Sequence, residues 1–291
     1  ISFSPLMGGL LPASAPSEPN HSCVIPIYNL VYIIHVYEYL QRSGDVEFVR
    51  TLVPLMEGIL SVFESNKRDG LVAEFEGCWN FCEWTPELTG HEPDQGKRIS
   101  LALNAFYILA LSDMDKIYSI LGEEGSRAEE IAQMQKLIAQ KFYLHDEEAF
   151  TSYVGKRHVS SLVNALAVLC GAAKSVGGDA EGIILDKIVS EKLGETSLAM
   201  KPFLYDALLT AGETYKDFIL SDILRSFGYM LDRGATSFWE TLEGEKQYGG
   251  AGSLCHAWSA ISIVYLRRIG GVSDAVERKD LLARNSLAVY S

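Results

Sequence analysis

The stretch that decides the fold is residues 27–65, which read IYNLVYIIHVYEYLQRSGDVEFVRTLVPLMEGILSVFES. Its second half places apolar side chains at helical spacing, in the stripe Leu52, Leu55, Met56, Ile59, Leu60 and Phe63. The run Ser43-Gly44-Asp45 divides the two halves, and such turn residues are typical of one helix ending where another begins. The stretch therefore predicts a helical hairpin.

The same helical period continues along the chain, and short turns join most of the helices that it predicts. Nine segments carry it: 27–42, 47–65, 99–121, 127–143, 160–175, 181–193, 199–212, 214–231 and 253–268. A strand pattern runs from Leu71 to Phe75, and the aromatic-rich loop 77–97 follows it. Because so long a loop in a compact domain is usually functional, we expect a site there.

The order of these elements predicts an all-α fold. No fixed repeat period links the helix pairs, which argues against a solenoid. Helices with a long loop after every second one fit a closed ring of hairpins, so we predict an α/α toroid whose rim loops carry the site. A globular helical bundle shows the same periodicity and stays the alternative.

Composition narrows the functional classes. The chain of 291 residues is 48% hydrophobic, enough for a large core, and its net charge of −13 disfavours nucleic acid and anionic membrane surfaces. No apolar run reaches the roughly 18 residues of a membrane span. Five scattered cysteines favour reduced thiols and hence the cytoplasm. Cys78, Cys82 and His91 lack a second ligand pair, so we expect no metal and no other cofactor.

Prolines mark one boundary of the helical domain. Five of the nine prolines lie between Pro5 and Pro26, which predicts an irregular opening segment over residues 1–26. We expect the helical domain to span residues 27–268, and we assign no role to the tail, residues 269–291. Because the chain begins at an isoleucine, we expect it to be a piece of a longer protein.

Aromatic rings and polar groups gather in the predicted rim loops. Indole rings stack on the C–H faces of sugars, while carboxylates and imidazoles bind the hydroxyls, so the mixture favours a carbohydrate site. Each residue has a structural alternative, either a tryptophan that plugs a loop or a hydrogen-bonded core histidine. Glu240 follows Phe238 and Trp239 toward the interior, and an unpaired buried carboxylate is costly. The candidates are Trp79, Glu83, Trp84, Trp239, Glu240 and His256.

Five motifs carry a resemblance to a known family: LLPASAP, IPIYNLVYIIHVYEYLQRSGD, DGLVAEFEGCWNFCEWTPEL, GATSFWETLEG and SLCHAWSA. From Gly9 to Leu266 the chain resembles the catalytic domain of bacterial α-L-rhamnosidases, which are inverting glycosidases with a six-hairpin (α/α)6 barrel. The resemblance implies a glycoside hydrolase domain that cleaves terminal α-L-rhamnosides with inversion. Its partner would be a rhamnose-containing glycoside or oligosaccharide.

The resemblance also implies roles for the candidates. Glu240 matches the general base that activates water against the anomeric carbon, and His256 matches a histidine that contacts rhamnose. Trp79 or Trp84 matches the aromatic wall of that subsite. Glu83 stands where relatives often carry aspartate.

Two departures from the family pattern affect the expected activity. The family's general acid belongs to an acidic motif expected upstream of Ile1, and nine predicted helices stand in place of twelve. The resemblance therefore implies a barrel incomplete at its N-terminus that hydrolyses rhamnosides poorly, because inversion needs two carboxyl groups. Two alternatives stay open: a non-catalytic carbohydrate-binding or structural helical toroid, and a toroid glycosidase for another sugar.

Overall fold

A computed structural model describes residues 9–14 and 23–270 of the chain. The chain divides into two compact units, unit 1 from Ile1 to Thr196 and unit 2 from Ser197 to Ser291. Both units are helical, which confirms the predicted all-α class. Much of the predicted opening segment 1–26, and residues 271–291 of the predicted tail, lie outside the described residues.

The helices of unit 1 follow the predicted segments closely. Asp45, Ser100 and Ser160 cap three of them by accepting a hydrogen bond from a backbone N–H of the first turn. The predicted helix 160–175 is wrong in one respect, because Gly171 adopts a left-handed φ of 80° and divides it into α5 and α6. The helices are α1 Pro26–Ser43, α2 Val46–Ser65, α3 Leu101–Leu121, α4 Ala128–Phe142, α5 Ser161–Leu169, α6 Ala172–Val176 and α7 Ala180–Val189.

The helices of unit 2 are α8 Lys201–Leu209, α9 Lys216–Asp232, α10 Gln247–Gly250 and α11 Ile261–Ile269. Single turns of 3-10 helix precede three of these, at Leu198–Met200, Gly244–Lys246 and Ala257–Ala260. The predicted segments 199–212 and 214–231 are confirmed. The predicted segment 253–268 is wrong at its start, because His256 is extended and its N–H donates to the Phe238 carbonyl instead of entering a helix.

Two small antiparallel hairpins interrupt the helices of unit 1. β1 (Lys67–Arg68) pairs with β2 (Leu71–Val72), and β3 (Tyr143–Leu144) pairs with β4 (Ala149–Phe150). The predicted strand from Leu71 to Phe75 is therefore too long, and the sequence did not predict the second hairpin. Strands of two residues are too short to show the alternation of apolar and polar residues by which strands are predicted.

Three buried asparagines in unit 1 each tie a helix to the chain segment before it. In each case the amide oxygen accepts from a backbone N–H at 2.7–2.8 Å, and the amide nitrogen donates to the carbonyl of the same residue at 2.9–3.3 Å. The clamps satisfy buried backbone groups that would otherwise be costly, so they fix each segment on its helix. The pairs are Asn29 with Leu11, Asn104 with Val72, and Asn164 with Phe150.

The described helices are too polar or too short to cross a membrane. The longest, α3, contains Asp113, Asp115 and Lys116 within its span. Across residues 9–14 and 23–270, no helix combines the length and the apolarity that crossing a membrane requires.

Candidate functional site

The first candidate site lies in unit 1, in the loop between β2 and α3. We call residues 73–100 the aromatic loop. Its ends meet, because the Glu74 N–H donates to the Arg98 carbonyl at 2.9 Å. Asn104, in the first turn of α3, clamps Val72 immediately before the loop. Closing both ends limits the conformations open to the whole loop.

A buried ion pair reinforces this closure. Arg98 donates from Nη2 to Glu74 Oε1 at 2.8 Å and from Nε to Glu74 Oε2 at 3.0 Å, which is the bidentate geometry that arginine favours. The Gly96 N–H donates to Oε2 at 2.8 Å. Glu74 is 2% exposed and Arg98 is 7% exposed. We call this pair the Glu74–Arg98 clamp, and it joins the two ends of the loop where water has little access.

Tyr153 braces the clamp from the loop after β4. The Arg98 Cζ atom lies 3.9 Å from the centre of the Tyr153 ring, a cation–π contact. The Tyr153 hydroxyl donates to the Glu87 carbonyl at 2.6 Å. Burial is the main cause that raises the pKa of Tyr153 well above its ordinary value, so this hydroxyl stays a donor near neutral pH. One side chain thereby holds both the clamp and the outer part of the aromatic loop.

Four rings of the aromatic loop pack against one another. Measured between ring centres, Trp79 lies 5.0 Å from Phe81, 5.7 Å from Trp84 and 5.4 Å from His91. Trp79 is half-buried, and its indole N–H donates to the Thr89 carbonyl at 2.8 Å. Trp84 keeps 38% of its surface exposed. Of the two tryptophans predicted for a sugar wall, Trp84 is therefore the more accessible ring.

Glu83 lies in the same loop, but its side chain is buried, with 1% exposure. Its backbone N–H donates to the Leu88 carbonyl at 3.1 Å. Burial, followed by the negative charges of Glu83 and Glu74, raises the pKa of the neighbouring Cys82 thiol well above its usual range. Such a thiol stays protonated, which suits neither metal binding nor nucleophilic attack. The structure therefore places Glu83 away from open solvent.

Metal binding in proteins depends on clustered ligands. Over the part of the chain that the structure describes, no three His, Cys, Asp or Glu side chains come together in a way that could hold a metal ion. All five cysteines, including Cys78 and Cys82, are free thiols. We assign no metal or cofactor to these residues.

The second candidate site lies in unit 2, where two loops run side by side. We call residues 233–243 and 251–258 the paired loops; the first follows α9 and the second leads into α11. The Glu240 N–H donates to the Ser253 carbonyl at 2.8 Å, and the His256 N–H donates to the Phe238 carbonyl at 2.8 Å. These bonds bring the two motifs GATSFWETL and SLCHAW next to each other.

Glu240 and His256 approach each other in this arrangement. Glu240 Oε2 lies 3.8 Å from His256 Nδ1, and the two side chains are 14% and 32% exposed. The Ser253 N–H donates to the same oxygen at 3.0 Å, which orients the carboxylate. Among the described residues no donor reaches the other oxygen, Oε1, so it is left for a water molecule or a ligand.

Two tryptophans flank this pair. Trp258 donates from Nε1 to the Glu240 carbonyl at 3.0 Å, and its ring lies 3.8 Å from the His256 ring, centre to centre, with a tilt of 33°. Trp239 is half-buried and packs on Gly244, where a Cβ atom would lie 3.0 Å from Trp239 Cε3. Trp239 is among the residues predicted for the site and Trp258 is not, although Trp258 contacts both polar residues. The signal that could have found it is the close spacing of His and Trp in SLCHAW.

The predicted site residues thus fall into two groups. Within unit 2, a carboxylate with one available oxygen, a nearby imidazole and an indole form an arrangement suited to proton transfer on a polar ligand. Within unit 1, the rings form an apolar surface of which Trp84 is the exposed part. Unit 1 contains Trp79, Glu83 and Trp84, and unit 2 contains Trp239, Glu240 and His256.

Comparison with known proteins gives one family. The family model described as the bacterial alpha-L-rhamnosidase 6 hairpin glycosidase domain matches residues 4–268. This range includes every predicted site residue. A search of curated protein sequences finds no match.

Three solved structures are similar to the chain. A GH78 family rhamnosidase of Bacillus sp. GL1 matches with a TM-score of 0.73 and 24% identity over 87% of this chain and 27% of its own. A rhamnosidase from Klebsiella oxytoca with rhamnose bound matches with a TM-score of 0.71 and 19% identity over 90% of this chain and 51% of its own. A Streptomyces avermitilis alpha-L-rhamnosidase complexed with L-rhamnose matches with a TM-score of 0.63 and 15% identity over 89% of this chain and 24% of its own.

The chain therefore spans from 24% to 51% of the length of these three proteins. Identities this low show a common fold. Together with the family match, they confirm the predicted all-α fold of six-hairpin glycosidases.

Proposed function

The chain belongs to the bacterial α-L-rhamnosidase six-hairpin glycosidase family, and from this premise we propose that it hydrolyses terminal α-L-rhamnosides with inversion. Two of the similar structures hold rhamnose, which supports this class of sugar. The observation that carries the proposal is the placement of Glu240 beside His256, with one carboxylate oxygen held and the other available. We place the catalytic domain over residues 27–268.

Glu240 acts as the general base in this proposal. The oxygen of a water molecule attacks the anomeric carbon while a water proton passes to Glu240 Oε1, and the bond from that carbon to the leaving oxygen breaks. Because Ser253 holds Oε2 at 3.0 Å, the carboxylate presents Oε1 in a fixed direction. A side chain 14% exposed is open to a water molecule yet shielded from bulk solvent.

The second half of an inverting reaction is protonation of the leaving oxygen. An inverting glycosidase uses a second carboxyl group for this step, at roughly 6.5–9.5 Å from the first. We assign that acid to none of the described residues. We therefore expect this chain to hydrolyse slowly any substrate whose leaving group must be protonated.

We propose sugar-contacting roles for residues of each unit, taken separately. His256 binds a rhamnose hydroxyl through the imidazole, and Trp239 supplies an apolar contact beside the base. Trp84, and through packing Trp79, supply a stacking surface, since 38% of Trp84 remains exposed. Glu83, whose side chain is buried inside the aromatic loop, is assigned no direct contact with the sugar. The free cysteines suit a reducing compartment, so we also propose a cytoplasmic location.

The test uses the full chain with an aryl α-L-rhamnoside whose activated phenolate leaves without protonation, so that the acid is not needed. Proton NMR identifies the anomer released first. We expect β-L-rhamnose, because water activated by Glu240 attacks the face opposite the leaving group. Initial release of α-L-rhamnose would contradict the assignment of Glu240 as base.

Glu240→Gln should lower kcat by at least about 100-fold while L-rhamnose still binds, because an amide accepts a hydrogen bond but not the proton of water. Azide, which needs no base, should partly restore the rate and yield the β-rhamnosyl azide. Glu243→Gln, an exposed carboxylate three residues further along, is the matched control and should keep the wild-type rate. Binding of rhamnose without hydrolysis would favour a non-catalytic sugar-binding domain, and hydrolysis of a different glycoside would favour another sugar.

A further inference from the structure

We infer that Trp258 is a positioning residue that fixes both Glu240 and His256, an inference that rests on the proposed function. Its indole contacts both polar residues, through a hydrogen bond to the Glu240 carbonyl and a tilted ring contact with the His256 imidazole. A single side chain thereby sets the geometry between the base and the sugar-binding imidazole.

The first contact fixes the backbone of Glu240. The Glu240 carbonyl accepts from Trp258 Nε1 at 3.0 Å, while the Glu240 N–H donates to the Ser253 carbonyl at 2.8 Å. Both main-chain polar groups of the residue are therefore held. With Cα fixed and Oε2 bound by the Ser253 N–H, the side chain has little freedom to turn Oε1 away from the attacking water.

The second contact fixes the plane of the His256 ring. Trp258 covers one face of the imidazole with ring centres 3.8 Å apart, and the His256 N–H is bound to the Phe238 carbonyl at 2.8 Å. The imidazole can then meet a ligand through its nitrogen atoms or its other face. The same stacking holds Nδ1 at 3.8 Å from Glu240 Oε2.

Tryptophan meets both requirements, since its indole carries a donor N–H and a flat face on one rigid ring system. Phenylalanine offers a ring but no donor, and the aliphatic residues offer neither a donor nor a flat face. One face of the Trp258 indole is covered by His256, so Trp258 orients its neighbours. Trp84, by contrast, offers an exposed ring on which a sugar could stack. Its position in the turn Ala257–Ala260, directly before α11, places it on a regular element.

The anchor of α11 supports this role. Tyr265, in the middle of α11 and 3% exposed, donates to the Pro202 carbonyl of α8 at 2.8 Å. Ser259, next to Trp258, is fully buried. The turn that carries the indole is therefore held by its neighbours in unit 2, as a positioning residue requires.

The test compares two substitutions in the full chain, assayed with the activated aryl rhamnoside. Trp258→Phe keeps a ring on His256 and loses the N–H donor, so we expect kcat to fall about tenfold with KM within about twofold. Trp258→Leu loses both contacts, and we expect kcat to fall about 100-fold. NMR of the His256 Cε1–H gives a second readout, since stacking under an indole shifts this resonance; the shift should persist in part in Trp258→Phe and vanish in Trp258→Leu.

Trp79→Phe is the matched comparison, because it deletes the same kind of bond, from an indole N–H to the Thr89 carbonyl at 2.8 Å, in unit 1. It should act on KM and leave the His256 resonance in place. Equal kcat in wild type and Trp258→Phe, or one His256 shift in all variants, would overturn the positioning role. If the wild type neither hydrolyses the rhamnoside nor binds L-rhamnose, the proposed function fails, and the His256 resonance alone then decides whether Trp258 positions it.

Discussion

The aromatic loop of unit 1 and the paired loops of unit 2 are held in opposite ways. The aromatic loop closes on the Glu74–Arg98 clamp, an ion pair between two buried side chains. The bonds between the paired loops each use at least one main-chain atom, as in Glu240 to Ser253 and His256 to Phe238. In the aromatic loop the charged pair closes the loop, whereas in the paired loops one oxygen of Glu240 stays available to a ligand.

The difference follows from what each loop presents. A wall of rings needs only to be rigid, and a buried bidentate pair gives rigidity without occupying the exposed surface. A base must remain in contact with water, so Glu240 is oriented by a single backbone N–H and keeps one oxygen open. The Glu74 side chain is 3% exposed and the Glu240 side chain is 14% exposed, which reflects these two uses of a carboxylate.

The largest effect should come from breaking the clamp. Arg98→Met removes one partner and leaves Glu74 as a buried charge, which should lower the free energy of unfolding by about 3–5 kcal/mol. The loss should be visible as a lower urea midpoint, followed by the fluorescence of the tryptophans in the aromatic loop. L-Rhamnose binding should weaken in parallel, because Trp84 loses its support.

Arg50→Met is the matched control for that substitution. Arg50 also pairs with a glutamate at 2.8 Å, Glu123, but its side chain is 46% exposed. An exposed pair contributes less than about 1 kcal/mol, so this variant should unfold close to wild type. Equal losses in both variants would show that the clamp does not hold the aromatic loop.

A smaller loss of stability should distinguish the two loops when a glycine of each is replaced by alanine. Gly90 and Gly234 both have a left-handed φ, 71° and 77°, but a Cβ on Gly90 would lie 2.8 Å from the backbone of Asn80 and Phe81. Gly90→Ala therefore adds overpacking to backbone strain and should cost about 2–4 kcal/mol. Nothing lies within 4 Å of a Cβ on Gly234, so Gly234→Ala should cost about 1 kcal/mol.

Thermal unfolding of the two alanine variants measures this difference. A larger loss for Gly234 than for Gly90 would mean that the paired loops, and not the aromatic loop, are the tightly packed region. The comparison between the two regions would then be reversed.

The sequence predicted the helices because a periodic apolar stripe records which face of a helix is buried. The points where helices are interrupted were harder to predict. The division at Gly171 depends on the conformation of one residue, and the late start of α11 depends on pairing with a distant loop. The segment before α11 looks helical by composition, but the His256 N–H donates to the Phe238 carbonyl instead of to a helical partner. Local pattern does not contain that information.

Polar contacts between distant residues were also outside the reach of the sequence. Glu74 and Arg98 read as ordinary surface charges until the fold brings them to 2.8 Å. Asn104 and Asn164 each lie four residues after a capping serine and donate to its carbonyl. This shared pattern is visible in the sequence only once the structure has shown what the asparagines bind. The placement of Glu240 near His256 was predicted through the family resemblance, whereas the contact of Trp258 with both needed the geometry.

The smallest expected change in stability concerns Asp222, a charged residue that unit 2 buries between two helices. Asp222 on α9 is 3% exposed and binds Lys201 and Tyr205 of α8, together with Arg225 one turn along its own helix. Burial favours the protonated form of Asp222, but the charge of Lys201 and the hydrogen bonds outweigh it, so the pKa of Asp222 lies below its ordinary value.

A depressed pKa in the folded state means that Asp222 stabilises the protein above the pKa of an unfolded aspartate, about 3.9, and that this contribution is lost as the pH falls further. Wild type should therefore lose stability in acid through this residue. Asp222→Asn carries no titrating group, so its urea midpoint should fall less steeply below about pH 3.9, whereas the exposed Asp232→Asn on the same helix should follow wild type. Identical acid profiles for wild type and Asp222→Asn would show that unit 2 does not depend on its buried charge.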